Sequence, residues 1–291
     1  MLRRILPVFA VCGACFAQCS QDMVRGTWGV YTQGIMMMTP AGGTAAVPAP
    51  AAQLVVLKVD YQGNSSGNGT AVLGGQVITG TFAGTIQVNP DCTATYTFTL
   101  KIAGMPPIPG QGTDRVIILD HGNEMRSMTT QGLLGGPVGI SYFRRMSWGD
   151  AQCSAGVVHG VYAFHYDGTV LMTPTGQSQV QAVPVSMIGA SSVDYQGNMT
   201  GAMTQSAGGT MMDFAFVDST GTINADCTGV SKWRIAPKGT TQAMPGQGID
   251  QMIVLDNGDE ILALTTQGVL GSPILIGHLK RVSTTPAAVS W

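Results

Sequence analysis

The apolar positions of this chain nowhere recur at a helical period over more than ten residues. Short runs rich in Thr, Val, Ile and Tyr are separated instead by Gly, Asn, Asp and Pro, the pattern of strands joined by tight turns. In the first half this predicts strands over 28–33, 53–61, 69–73, 77–88, 93–102, 115–120, 124–131 and 138–146. The tetrads Asp120-His121-Gly122-Asn123 and Asp256-Asn257-Gly258-Asp259 read as hairpin turns, with Gly where φ must be positive. Eight strands in a row describe an up-and-down meander, and a meander loses its raw edges most simply by closing on itself. The fold class expected is all-β, with antiparallel barrels; β-sandwiches are the alternative.

The pattern occurs twice. Residues 111–147 (QGTDRVIILDHGNEMRSMTTQGLLGGPVGISYFRRMS) return as residues 247–283 (QGIDQMIVLDNGDEILALTTQGVLGSPILIGHLKRVS). Upstream, Val59-Asp60-Tyr61-Gln62-Gly63-Asn64 matches Val193-Asp194-Tyr195-Gln196-Gly197-Asn198, and Asp91-Cys92-Thr93 matches Asp226-Cys227-Thr228. A repeat of this length sets the unit of folding. The organisation expected is two tandem barrels of about eight strands, at 18–147 and 153–283, with a linker at 148–152 and a flexible tail at 284–291.

Residues 1–17 have the form of an export signal: Arg3 and Arg4, an apolar run too short to cross a bilayer, then small residues at Cys15 and Ala17. The mature chain is therefore expected to be secreted or periplasmic. It keeps Cys19, Cys92, Cys153 and Cys227. Four cysteines allow three connectivities. The repeat selects Cys19–Cys92 and Cys153–Cys227, because each pair then joins the opening of one copy to its Asp-Cys-Thr motif. Export makes disulfides plausible, and no CxxC or His pair accompanies these cysteines to suggest zinc.

Charged residues make up 10% of the chain and the formal net charge is −2. No basic stripe exists to follow a phosphate backbone, so nucleic acid is not an expected partner. With 7% aromatics, the girdles of a membrane barrel are hard to build, and a membrane-spanning role is not expected. The 17 methionines, clustered at Met36-Met37-Met38 and Met211-Met212, suit irregular apolar space, either as core filler or as an adaptable ligand wall.

The order of an opening Cys, Gly26-Thr27-Trp28-Gly29-Val30-Tyr31, Val59-Asp60-Tyr61-Gln62-Gly63-Asn64 and Asp91-Cys92-Thr93 resembles a group of secreted bacterial domains, common in acidobacteria. That group is similar to the allene oxide cyclase barrel-like and lipocalin-like (calycin) β-barrels. The resemblance covers both copies and implies one eight-stranded antiparallel barrel in each. It implies no particular activity.

Few residues suggest chemistry. No Gly-x-Ser-x-Gly elbow is present. His121, His159, His165 and His278 do not recur between copies, so no duplicated catalyst is built on them. The acids Asp60/Asp194, Asp91/Asp226, Asp114/Asp250, Asp120/Asp256 and Glu124/Glu260 do recur, as does Arg145/Arg281. Most of these aspartates sit where turns use them. Glu124 with Arg145, and Glu260 with Arg281, are expected on adjoining strands, as carboxylate–guanidinium pairs that orient a ligand at a barrel mouth or as structural ion pairs. No metal, cofactor or catalytic residue is expected. The sequence reads first as a non-enzymatic binder of a small apolar ligand. The alternatives are a surface-interaction protein with filled barrels and a cofactor-free isomerase or cyclase.

Overall fold

A computed structural model describes residues 18–38, 45, 47–133, 138–173, 178–269 and 271–289. The expected export signal at 1–17 lies outside them. The first copy contains β1 (Gly26–Met38), β2 (Val47–Val59), β3 (Asn64–Leu73), β4 (Gln76–Val88), β5 (Thr93–Ile102), β6 (Gly112–Leu119), β7 (Glu124–Gln131) and β8 (Val138–Ser147). The second contains β9 (Gly160–Met172), β10 (Gln181–Val193), β11 (Asn198–Ala207), β12 (Thr210–Ile223), β13 (Thr228–Pro237), β14 (Gly248–Leu255), β15 (Glu260–Gln267) and β16 (Ser272–Ser283). Each set closes into an antiparallel up-and-down barrel. Closure comes from β8 pairing with β1 and from β16 pairing with β9. Among the described strands no sheet edge is left free, and the sandwich alternative falls.

Several strands run longer than the residue pattern suggests. The β1–β2 ladder continues from Trp28↔Leu57 out to Met38↔Val47, because a paired neighbour satisfies the backbone whatever the side chains prefer. The hairpin tetrads turn more sharply than expected. His121 and Asn257 have positive φ, as do Asp120 and Asp256 before them.

Alternation sorts the side chains of each strand to the two faces of its barrel. On β6, Asp114, Val116 and Ile118 are inside, while Arg115, Ile117 and Leu119 are outside and exposed. Trp28, Leu57, Ile86, Met125 and Phe143 fill the first interior. Tyr162, Phe164, Met203, Trp233 and Ile261 are prominent in the second.

One end of each barrel is sealed by the segment that enters it. The 3-10 turn Gln21–Val24 precedes β1, and Cys19–Cys92 ties that segment to the β4–β5 connection. The turn Ala155–Val157 and Cys153–Cys227 repeat the device before β9. Both disulfides are those the repeat selects.

A third apolar cluster lies between the barrels. Leu54 and Ala52 of β2 and Val72 of β3 meet Ile253 and Leu255 of β14, Leu262 and Leu264 of β15, and Ile274 and Ile276 of β16. This explains why β15 is buried on both faces while its counterpart β7 alternates. Gly29 permits the close approach. A Cβ there would stand 2.9 Å from Leu255 Cδ2 and 3.0 Å from Ile253 Cγ2. The linker also packs on the first barrel, with Thr27 Oγ1 donating to Gly149 O and Lys58 pairing with Asp150 at 2.6 Å. Within the tail, the Ala287 N–H donates to Ser192 Oγ at 3.1 Å.

Candidate functional site

The four charged residues expected at a mouth are not brought together as pairs. Strand alternation is the reason. Glu124 stands opposite Arg144, not Arg145, so it faces outward, where it binds Arg126 at 2.8 Å and Arg144 at 3.1 Å. Arg145 is buried and latches the sealed end. It donates to Met23 O at 2.6 Å and to the carbonyls of Arg25 and Gly122, and its guanidinium lies over the rings of Trp28 and Trp148. Burial, helped by the charge of Arg25, pushes it down to about 10. Arg281 does the same work in the second barrel, reaching Val157 O, Tyr162 Oη and the exposed Asp259. The recurrence of this arginine follows from the orphan carbonyls at that end.

Glu260 takes part in a different structure. It accepts from His278 Nε2 at 2.8 Å and from Arg144 of the other barrel at 3.3 Å. Burial works to raise its pKa, but His278, Arg144 and Lys280 together hold it below the usual range. The group Glu124–Arg144–Glu260–His278 therefore rivets one barrel to the other.

The interior acids are the recurring residues that sequence reasoning listed without singling out. Asp114 and Asp250 are the buried carboxyls of the two barrel interiors among the described residues. Their signal was present: each shares the strand parity of core positions, Val116 and Ile118 in one copy and Met252 and Val254 in the other. The register slips at Thr113/Asp114 and again at Ile249/Asp250. Thr130 and Thr266, at the slips, donate their hydroxyls to Thr113 O and Ile249 O. A bulge of this kind aims a side chain and is kept where the aim matters.

Around Asp250 the second barrel has a built polar site in an apolar cavity. The cavity is about 60 Å³ and is lined by Tyr166, Met187, Ser191, Met199, Met203, Phe216, Trp233, Asp250 and Met252, among others. Tyr166 donates to Asp250 Oδ2 at 2.9 Å. Asp250 Oδ1, Ser191 Oγ and the hydroxyl of Thr265, opposite Asp250 on β15, form no well-shaped hydrogen bond among the described residues, although Thr265 and Trp233 lie close enough to Asp250 to favour its carboxylate. Burial raises the Asp250 pKa, an effect that Thr265, Trp233 and Tyr166 offset only in part. Burial likewise raises Tyr166 well above its ordinary value. Glycines make room for the rings. A Cβ on Gly277 would be 2.2 Å from Tyr166, and one on Gly248 would be 2.1 Å from Trp233.

The first barrel is hollow at a different level. Its cavity, about 120 Å³, is lined by Thr32, Gly34, Met36, Gln53, Gly69, Phe98, Leu100, Ile102 and Thr129, among others. Matching positions explain the exchange. Thr32 and Gly69 open the first barrel where Tyr166 and Met203 fill the second. Leu57 and Tyr96 fill the first where Ser191 and Ser231 open the second. Asp114 lies outside the first cavity; Ser127 donates to its Oδ2 at 2.9 Å, and burial raises its pKa. Among the described residues, no group of three or more His, Cys, Asp or Glu is placed to hold a metal ion.

The fold and site together define a tandem of two closed eight-stranded β-barrels, each with a buried carboxyl. No family model matches the chain, and no curated protein matches it. Among solved structures it is similar to a DUF3598-family protein of unknown function from Nostoc punctiforme, at 11% identity and a TM-score of 0.21, covering 91% of this chain and 100% of that one.

Proposed function

We propose that this is an exported, non-enzymatic binding protein whose second barrel takes a small, uncharged, apolar molecule carrying one hydrogen-bonding group. The observation that carries the reading is Asp250: a buried carboxyl on an apolar cavity, with Oδ2 held by Tyr166 and Oδ1 without a well-formed hydrogen bond, Thr265 and Trp233 being near neighbours of the carboxyl. A buried polar atom without a partner costs roughly 1–3 kcal/mol, which a ligand hydroxyl or carbonyl would recover. A carboxyl accepts from the first in either protonation state and donates to the second when it holds its proton. Ligand carboxylates are disfavoured, since no Lys or Arg is among the described residues that line the cavity. Met187, Met199, Met203 and Met252 let a small cavity widen at low cost. The two disulfides favour an oxidising compartment, in keeping with export. The motif resemblance to calycin barrels points the same way.

Titration calorimetry with uncharged probes (phenol, cyclohexanone, indole) against their charged analogues tests the reading. Ser191→Leu, which places the first barrel's residue in the second cavity, is the control. Binding of uncharged probes that Ser191→Leu abolishes supports the proposal. Equal heats for both proteins, or preference for a carboxylate probe, overturn it.

A further inference from the structure

We infer that the outer face of β6–β8 in the first barrel docks the β10 face of the second barrel of another copy, so that chains associate head to tail. The template is inside the molecule. The second barrel grips the first through Ile253, Leu255, Leu264 and Ile276, all buried. The matching residues of the first barrel are Ile117, Leu119, Met128 and Ile140. They are large and apolar too, yet they are 54%, 37%, 53% and 49% exposed. The same four positions thus stay apolar where they are a third to a half exposed among the described residues.

The other half of the contact also has a bare counterpart. Leu54, buried between the barrels, matches Ile188, which is 57% exposed; Met146, packed at the same cluster, matches Val282, 64% exposed. The charges agree as well. Arg144 bonds Glu260 across the internal contact, and the matching pair between two chains is Lys280 with Glu124, again opposite in sign.

Several differences weaken the copy. Ser186, Ser206 and His165 stand where Ala52, Val72 and Tyr31 do, so Ile188 and Val282 carry the apolar part of the β10 face. Ala163 stands where Gly29 does, and its methyl would press on a leucine Cδ, which can turn aside, and on an isoleucine Cγ2, which is stiff and sets the two faces slightly further apart. Arg126 replaces Leu262 at the centre of the face and is engaged with Glu124 and the Tyr142 ring. The association is therefore weaker than the internal contact. A heterologous contact leaves a bare face at each end of a pair, so chains add one after another into rings or filaments.

Sedimentation velocity over a concentration series tests this on the mature chain. The expected result is a mass that rises with concentration without settling at a dimer. Met128→Asp and Ile188→Asp, both at exposed positions, should each be monomeric alone, and an equimolar mixture should form a heterodimer that grows no further. Arg126→Leu should tighten association by about tenfold. A wild-type chain monomeric to its solubility limit overturns the inference, as does a mixture that stays monomeric, or a wild-type dimer that survives in either single variant. None of these readouts depends on ligand binding in the cavity.

Discussion

Tyr166 and Asp250 meet at 2.9 Å across the interior of the second barrel, while their counterparts Thr32 and Asp114 do not meet. Thr32 bonds Ser141 at 2.7 Å and accepts from Gln53, and Asp114 is served by Ser127. Tyr166 needs the space that Gly277 leaves, and Gly277 stands where Ser141 does in the first barrel. One duplicated acid thus sits in two different environments, and they determine how each barrel responds to pH.

Burial raises Asp250 above the ordinary value of 3.8. A raised folded pKa favours the protonated, folded form. The stability it contributes is complete below the unfolded pKa and is lost as pH rises through the folded one, at up to about 1.4 kcal/mol per pH unit in the window between. Asp250→Asn should remove that slope. Urea unfolding from acid to neutral pH should show the variant gaining on the wild type as pH rises; parallel curves would refute the assignment.

Ser191 leaves its hydroxyl without a partner on the cavity wall. Ser191→Leu should therefore stabilise the protein by about 1–2 kcal/mol, from buried methylene groups and the loss of an unsatisfied donor. The reverse change, Leu57→Ser in the filled barrel, should cost about 3 kcal/mol. Thermal melts of the two variants give the comparison directly.

The net pKa of Glu260 is depressed, chiefly because its ties to His278 and Arg144 outweigh burial. A depressed carboxyl contributes stability that is present above its unfolded pKa and lost as pH falls through the folded one. Acid should loosen the contact between barrels first, and Glu260→Gln should flatten that acid limb. Arg144→Ala leaves the carboxylate buried with one partner fewer and should cost about 1–3 kcal/mol at neutral pH. Hydrogen exchange at Leu262 and Leu264 is the local probe.

Arg145 serves three carbonyls from two separate segments, Met23 and Arg25 before β1 and Gly122 between β6 and β7, while lying over two indoles. Lysine cannot reproduce a planar fork. Arg145→Lys should lose most of what Arg145→Ala loses, about 3 kcal/mol. Differential scanning calorimetry of both variants checks this; a Lys variant as stable as wild type would show that charge alone suffices.

Each disulfide closes a loop of 73 or 74 residues. Replacing Cys153 and Cys227 together by serine should cost about 4 kcal/mol in the chain-entropy model. Denaturant midpoints under non-reducing conditions measure it.

The residue order by itself determined the strand-rich class, the duplication, the eight-strand count and both cysteine pairings. These follow from local pattern and from comparing one copy with the other, and neither needs a third dimension. The same comparison flagged Arg145 and Arg281, but their role is set by carbonyls brought in from distant segments. Which face of a strand each residue takes was decided by register. Register separated Glu124 from Arg145 and turned Asp114 and Asp250 inward through a bulge. The two-sided burial of β15 came from the packing of one barrel on the other. The position of each cavity depends on which of several matched residues is large, and that shows only when the barrel closes and those side chains face one another.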